Sequence, residues 1–292
     1  MSEQSMVRIT TFTDPMMGLS YECEPIFRKL ETHFPKALVH TYVMSGLVQN
    51  VYDFVDLADL CEGKDFAIKK YNARLAKIYE DEESITGMPI NMTNFRLFSV
   101  NCPSSIPLNI AYKAAELADA ENASRFLYNL RYATIAECRP TTRRKGIMAV
   151  VHQTGIDENE FCRHFDGKTA KAALERDLMF CRQLGIRTLP AYLLQCREKE
   201  VLIQSLIGYT AFVSLLAEIT DGELKPQYLE PSLENLKKLI NAHPLISPIE
   251  IREAFDLSSM EEVRGLISPL LSDGTVRIRE VYHGWFIERT EH

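Results

Sequence analysis

The side chains that could do redox or metal chemistry in this chain are its seven cysteines, and their spacing argues against both. The number is odd and no short Cys pair occurs, so they form neither a disulfide framework nor a redox motif. Cys162 and His164 are the only close Cys/His pair, and positions two apart on a helix do not share a face. We therefore expect no bound metal and free thiols, most of them in the core. The cysteines are Cys23, Cys61, Cys102, Cys138, Cys162, Cys181 and Cys196.

A strand–turn–helix stretch near the N-terminus is the best position for reactive groups. Residues 7–12 alternate in polarity, which predicts a β-strand, and residues 19–30 carry apolar side chains at helical spacing. Asp14 and the proline after it supply the turn between them. A helix N-terminus at such a turn stabilises a thiolate. The two positions three apart at this helix start are Met17 and Ser20, and neither can form a disulfide.

This stretch resembles the DsbA-like branch of the thioredoxin superfamily, where Asp-Pro-x-Cys-x-x-Cys precedes Trp or Tyr. Here Asp14 and Pro15 are followed by Met17 and Ser20 at the two cysteine positions, and by Tyr21. Within that branch the chain is most similar to the YjbH (SpxH) type, cytosolic adaptors that hand the regulator Spx to the ClpXP protease. Three later stretches resemble the first helix of that family's inserted helical domain, its cis-proline segment and its C-terminal winged helix: residues 111–117, 186–192 and 259–286.

The resemblance implies an adaptor that has lost its redox chemistry. No catalytic residue is expected, because Met17 and Ser20 are degenerate motif positions, and no cofactor is expected. The Leu189–Pro190 bond is expected to be cis, with the backbone before it facing the old redox turn. The implied partners are a regulatory protein and a AAA+ protease. The implied partner-binding groove consists of Asp14, Pro15, Met17, Tyr21, Leu189 and Pro190.

An enzymatic alternative remains: a thiol-disulfide oxidoreductase or isomerase, or a glutathione-dependent transferase, of the same superfamily. Disulfide exchange needs an attacking thiolate and a second sulfur, which this motif lacks. Kappa-class transferases place a catalytic serine at the first cysteine position, which here is Met17. Ser20 is better interpreted as an N-cap or first-turn hydroxyl. Cys23 lies one turn further on an apolar helix face, which favours a core position.

Composition is that of an ordinary soluble globular protein, with 46% hydrophobic and 25% charged residues. A length of 292 residues suggests about two domains. The net charge of −7 argues against a general nucleic-acid binder. No apolar run approaches the roughly 20 residues that span a bilayer. Residues 1–5 are polar and lack the features of a signal peptide, so we expect a cytoplasmic protein without membrane or DNA partners.

The order of predicted elements indicates an α/β fold: a thioredoxin-like domain of the DsbA type with a helical insertion, followed by a winged-helix domain. The charged run at residues 81–83 is interpreted as a solvated loop. The Pro- and Gly-containing residues 221–226 form the expected linker. The predicted strands are residues 7–12, 37–44, 191–194 and 201–203; the insertion spans about 50–187, and the domains span 1–222 and 226–292.

The C-terminal region carries clear helix signals. Ser247 and Glu250 have the spacing of a capping box, and so do Ser259 and Glu262. Pro269 is expected to kink or stop the helix that begins after Ser259. Both boxes look equivalent in the sequence.

A wing should follow these helices, because His283 and Gly284 between two β-prone runs signal a hairpin. Trp285 is expected to pack against the helices. Winged helices commonly bind DNA, but residues 226–292 contain seven Lys or Arg against eleven Asp or Glu. Phosphate contacts require an excess of cations, so a protein-docking role is predicted.

Overall fold

A four-stranded sheet organises the first part of the chain in this computed structural model, which describes residues 6–290. The polar residues 1–5 discussed above lie outside the described residues. The strand order is β2-β1-β3-β4, with β1 parallel to β2 and antiparallel to β3, and β3 antiparallel to β4. All four predicted strands are confirmed, and the sheet has the thioredoxin arrangement. Its strands are β1 (Val7–Thr13), β2 (Leu38–Met44), β3 (Ala191–Cys196) and β4 (Lys199–Ile203).

Two helices follow β1: α1 (Gly18–Glu22) and α2 (Glu24–His33). Pro25 lies in the first turn of α2, where its missing N–H costs no helical hydrogen bond. Phe27 and Leu30 of α2 pack against Tyr192 and other apolar side chains on one face of the sheet. The helix thus buries the apolar stripe that its sequence predicted.

The chain between β2 and β3 forms the inserted helical unit. It begins with a turn of 3-10 helix at Val51–Asp53 and ends where Gly185 adopts the left-handed φ of 63° expected of a helix C-terminus. Residues 111–117 lie in α5, but α3 and α4 precede it, so placing them in the first inserted helix was wrong. The helices are α3 (Leu57–Cys61), α4 (Lys64–Glu82), α5 (Ile106–Ala118), α6 (Ala123–Ile135), α7 (Arg144–Thr154), α8 (Glu158–Phe165) and α9 (Thr169–Gln183).

The predicted solvated loop at residues 81–83 is also wrong. Glu82 is the last residue of α4 and is half-buried. Helix α4 continues this far because Tyr79, one turn earlier, is buried against the N-terminus of α1.

The C-terminal unit alternates helices with a small antiparallel sheet of order β5-β7-β6. Strand β5 was not predicted, because two residues are too short for a periodic signal. The predicted hairpin is confirmed, with His283 at a left-handed φ of 57° in its turn. After α10 (Tyr209–Ile219), which closes the first part, this unit contains α11 (Leu233–Ala242), β5 (Leu245–Ile246), α12 (Pro248–Ala254), α13 (Met260–Ser272), β6 (Val276–Val281) and β7 (Gly284–Arg289).

The two predicted capping boxes differ. At α12 the box is complete, because the Ser247 hydroxyl accepts from the Glu250 N–H and the Glu250 carboxylate accepts from the Ser247 N–H. At α13 the Ser259 hydroxyl accepts from the Glu262 N–H, but the Glu262 carboxylate bonds to Ser258. The second prediction is therefore only half right.

Pro269 lies inside α13, which continues to Ser272, so the expected stop at the proline is wrong. Ile267 and Leu270 on either side are buried in the core of the unit, and this packing holds the last turn despite the missing N–H. Trp285 packs partly against the same core, as predicted.

The C-terminal unit is docked on the first part of the chain through α12, which packs along α2. The approach to it is anchored as well, since Leu224 is buried in the sheet-side core and the Gln227 N–H donates to the His33 carbonyl at 2.7 Å. Within residues 6–290, no helix is long and apolar enough to cross a membrane.

Candidate functional site

The turn between β1 and α1 is stabilised by the buried carboxylate of Asp14. Asp14 Oδ1 accepts from the Met16 N–H at 3.1 Å. Its Oδ2 accepts from the Leu47 N–H, the Ser105 hydroxyl and the Asn109 amide, each at 2.8 Å. Burial raises the pKa of Asp14, while these hydrogen bonds oppose the shift. Asp14 therefore fixes the turn to the start of the helical insertion and is not accessible itself.

The two former cysteine positions are both enclosed. Met17 is 7% exposed and begins α1 without any side-chain cap. Ser20 is buried, and its Oγ lies 2.8 Å from Thr13 Oγ1, which also accepts from Arg131 Nη2 at 2.8 Å. Ser20 is a first-turn hydroxyl of α1, as predicted, but it does not cap the helix, because its hydroxyl belongs to this buried polar chain.

Helix α4 lies directly over the start of α1. A Cβ added to Gly18 would lie 1.9 Å from Glu82 Oε2 and 2.6 Å from Tyr79 Cδ1, so any larger residue would have to displace these side chains. The Tyr79 hydroxyl donates to the Met16 carbonyl. The turn that would present a thiol in a redox enzyme is thus covered by the insertion.

Two carboxyl groups beside this contact have strongly shifted pKa values. Burial raises the pKa of Glu82 to about 7, and its Oε2 has no hydrogen-bond partner within the described chain. Burial likewise raises the pKa of Glu22 to about 7, although its carboxylate accepts from the N–H and hydroxyl of Thr86. Glu22 and Glu82, at the junction of α1 and α4, therefore bind or release protons near neutral pH.

The cis-proline segment lies beside the turn. The Leu189–Pro190 bond is cis, as predicted, and Phe12 pairs with Ala191, so the end of β1 and the start of β3 are neighbours. The preceding loop is held by Gln204, which accepts from the Arg187 N–H at 2.8 Å. Leu189 is half-buried and Pro190 is buried.

Five of the six predicted groove residues lie at one end of the sheet, and the sixth, Tyr21, does not. Asp14, Pro15, Met17 and Pro190 are buried there, with Leu189 half-buried. Tyr21 faces the other way: its ring belongs to the core of the insertion, and its hydroxyl donates to the Pro89 carbonyl at 2.8 Å.

The nearest thiol is not reactive. Cys23 is buried one turn after Ser20, with its Sγ 3.3 Å from the Tyr192 hydroxyl. Burial raises the pKa of the Cys23 thiol to about 12, so it stays protonated at neutral pH. The core position predicted for Cys23 is confirmed. Across residues 6–290 the cysteines are free, but only Cys23, Cys181 and Cys196 are buried, so the expectation that most lie in the core is wrong. No cluster of His, Cys, Asp or Glu among these residues could hold a metal ion.

Sequence reasoning missed a buried ion network at the junction of the three parts of the chain. Arg131 of α6 pairs with Glu24 of α2 at 2.8 Å, and Glu24 pairs with Arg28 at 2.8 Å. Arg28 Nε pairs with Glu250 of α12 at 3.1 Å, and the Tyr128 hydroxyl donates to Glu250 at 2.6 Å. The i,i+4 spacing of Glu24 and Arg28 was visible in the sequence, but the partners on other elements were not.

Outer ion pairs extend this junction toward the surface. His243 lies 2.9 Å from Glu31 of α2, and His33 lies 3.3 Å from Asp256. Asp256 also pairs with Lys29. Lys29 of α2 thus pairs with a carboxylate just after α12, and the contacts of His33 and Glu31 also help to fix how the C-terminal unit sits.

The sheet, the turn after β1 and the cis-proline segment define a thioredoxin-fold protein of the DsbA type whose redox positions hold no cysteine. The chain belongs to the thioredoxin family, whose model, described as Thioredoxin, matches residues 10–213.

Its relatives are more specific. The chain is similar to proteins named ClpXP adapter protein SpxH: that of Bacillus cereus is 25% identical over 269 residues, covering 90% of this chain and 84% of the relative. That of Bacillus subtilis is 23% identical over 287 residues, covering 96% and 88%.

Solved structures show the same fold. A candidate protein disulfide isomerase from Nitrosomonas europaea superposes with a TM-score of 0.61 at 15% identity, covering 74% of this chain and 98% of that one. The cytosolic disulfide reductase DsbM from Pseudomonas aeruginosa gives a TM-score of 0.52 at 17% identity, covering 80% and 98%. At such identities the likeness concerns the fold alone.

Proposed function

We propose that this protein is a redox-inactive adaptor for the ClpXP protease, in the sense in which its SpxH relatives are named, and that it binds a regulatory protein of the Spx type. The observation that supports this proposal is the closed turn. Met17 and Ser20 stand at the cysteine positions and are both buried, and α4 packs on Gly18 between them. A protein that keeps the thioredoxin-like fold but lacks the cysteines of its redox site is expected to act by binding.

The enzymatic alternative has no chemical group to act through. Thiol exchange requires a thiolate that reaches the substrate disulfide and a second thiol that resolves the mixed disulfide. Cys23 is buried and protonated, and Ser20 donates or accepts inside the protein. Neither group meets the access or the ionisation that the reaction needs.

We further propose that residues 226–292 form a winged-helix domain beside a DsbA-like domain of residues 1–222 with its insertion at about 50–187. The order helix, strand, two helices and hairpin supports this interpretation, with β6 and β7 as the wing. Helix α13, in the place of a recognition helix, carries Arg264 together with Glu261 and Glu262. This charge favours protein over DNA as the partner.

The predicted groove remains our proposal for part of the client contact, with its residues divided by role. Leu189 is half-buried and can touch a bound segment directly, whereas Met17, at 7% exposure, can offer only the edge of its side chain. Asp14 and Tyr21 are fully buried and hold the turn and α1 in place. We infer a cytoplasmic location, because the adaptors that the chain resembles are cytosolic.

Reconstituted degradation tests this function. Purified protein is added to ClpXP and the Spx-type regulator of its own organism, and the decay of the regulator is followed with time. We expect several-fold faster decay with the protein than without it. In parallel, insulin reduction is measured beside a DsbA-type enzyme and a Ser20→Ala variant. Insulin reduction above the Ser20→Ala level, without any effect on degradation, would reverse the assignment.

A further inference from the structure

A surface around α3 is apolar and has no partner within the described chain. We define the α3 surface by Phe54, Leu57, Cys61 and Phe66. Leu57 is 82% exposed, Phe54 44% and Phe66 42%. Helix α3 itself buries no residue. Single exposed apolar residues are ordinary, but an exposed leucine on a helix that fully buries no residue, beside two exposed phenylalanines, is typical of an interaction site.

A cleft of about 240 Å³ runs between α3 and α4 beside these residues. Val55, Ala67 and Tyr71 contribute apolar walls, and the ring of Phe54 lies 6.1 Å from that of Tyr71. A groove between two helices with aromatic walls suits the apolar stripe of a third helix.

Two of the four cations near this cleft are paired with carboxylates, and Lys64 lies over the ring of Tyr52. Lys70 bonds to Asp59 at 2.6 Å and Lys69 pairs with Asp65 at 2.7 Å. Arg74 donates to the Phe54 carbonyl. Lys69 and Lys70 therefore offer little to an acidic partner.

The carboxylates are in excess. Asp53, Asp56 and Glu62 are exposed and form no ion pair with any described residue. The pKa of Lys70 is raised chiefly by its hydrogen bond to Asp59, and Asp56 and Glu62 add to the effect. The local field at the α3 surface is therefore negative.

We propose that the α3 surface docks a helical segment of a partner protein that presents an apolar stripe flanked by Lys or Arg. The unpaired carboxylates attract and orient such a segment, and the apolar side chains of α3 supply the buried contact. A second copy of this chain would bring the same carboxylates against each other, which costs free energy. The inference goes beyond the adaptor function, because it adds a surface outside the degenerate turn and does not depend on the protease.

Three synthetic helical peptides of about 18 residues test this proposal, with one apolar stripe in common and Lys, Glu or Gln at all other positions. Binding is measured by fluorescence anisotropy at low and physiological salt. We expect the Lys peptide to bind best and to weaken with salt. Leu57→Lys should reduce its affinity about tenfold or more. Met179→Lys, at a residue 49% exposed on α9, is the matched control and should bind as wild type does.

Thiol footprinting locates the bound peptide. Cys61 is exposed, and saturating Lys peptide should slow its alkylation, while the rate at Cys162 on α8 stays unchanged. Leu57 is too exposed for its replacement to unfold the protein, and a circular dichroism melt checks this. Equal binding of the Glu peptide, or wild-type affinity in Leu57→Lys, would overturn the proposal. So would a wild-type dimer, seen in sedimentation, that Leu57→Lys abolishes.

Discussion

Replacing Glu250 with alanine should detach the C-terminal unit from α2, whereas the same change at Glu262 should have little effect. Both residues occupy the third helical position after an N-cap serine, in the pattern Ser-x-x-Glu. Glu250 is fully buried, with Arg28 Nε at 3.1 Å and the Tyr128 hydroxyl at 2.6 Å. Glu262 is exposed and bonds only within its own cap region, to Ser258.

The magnitude follows from the groups left without partners. In Glu250→Ala the Tyr128 hydroxyl and one N–H of Arg28 stay buried and unpaired, at about 1–3 kcal/mol each. Loss of the capping contact adds about 0.5–1 kcal/mol. Arg28 keeps its pairs with Glu24 and Glu31, so we expect a total of about 3–5 kcal/mol, in the range for breaking a buried ion pair. Glu262→Ala should cost about 0.5 kcal/mol.

Urea unfolding of the two variants provides the comparison, followed by circular dichroism and by the fluorescence of Trp285. This residue is the single tryptophan of the chain and lies in the C-terminal unit. In Glu250→Ala the Trp285 signal should change at lower urea than the helical signal, because the unit separates first. If both variants lose the same stability, the buried network does not hold the two parts together and the reasoning fails.

Three further expectations concern the covered turn. Gly18→Ala should destabilise the protein by about 1–3 kcal/mol, because the added methyl would lie 2.6 Å from the buried Tyr79 ring. Gly265 lies in open space on α13, so Gly265→Ala should instead stabilise the protein by up to about 1 kcal/mol. Equal denaturation midpoints for the two variants would contradict this. The folded state raises the pKa of Glu82 from 4.5 to about 7, so stability should fall as pH rises through that window. Glu82→Gln should remove part of that slope, on the order of 1 kcal/mol after allowance for partial exposure, and an unchanged profile in pH-dependent urea unfolding would disprove it. Met17→Cys with Ser20→Cys should reduce insulin only at background rate, because both positions are enclosed; DsbA-like turnover would show that α4 opens.

Local pattern was enough for most of the fold. The residue patterns at 7–12 and 37–44 predicted two strands, and the structure pairs them in parallel as β1 and β2. The Ser247 cap begins α12 as predicted. These signals are readable because they depend on residues within about one helical turn or one strand. Pro269 was misjudged for the complementary reason, since packing from elsewhere in the unit outweighs a local cost.

The sequence located the candidate site, but it did not show that the turn is covered. Asp14, Met17 and Pro190 identified the turn and the cis-proline segment that meet at one end of the sheet. That α4 would cover the turn, with Glu82 against Gly18, could not be inferred, because nothing in a charged helix end specifies which surface it contacts.

The identity of the fold and the loss of the cysteines were determined by the sequence alone, through motif spacing and periodicity. Only the tertiary structure decided how the three parts join. Arg28 and Glu250 are 222 positions apart, and Glu24 and Arg131 are 107 apart, yet each pair shares a buried hydrogen bond. Such pairings depend on where the helices come to lie once their apolar faces are buried. In the sequence, Glu250 and Glu262 both occupy the same position of a Ser-x-x-Glu pattern. Only Glu250 is buried, and for that reason it links the two units.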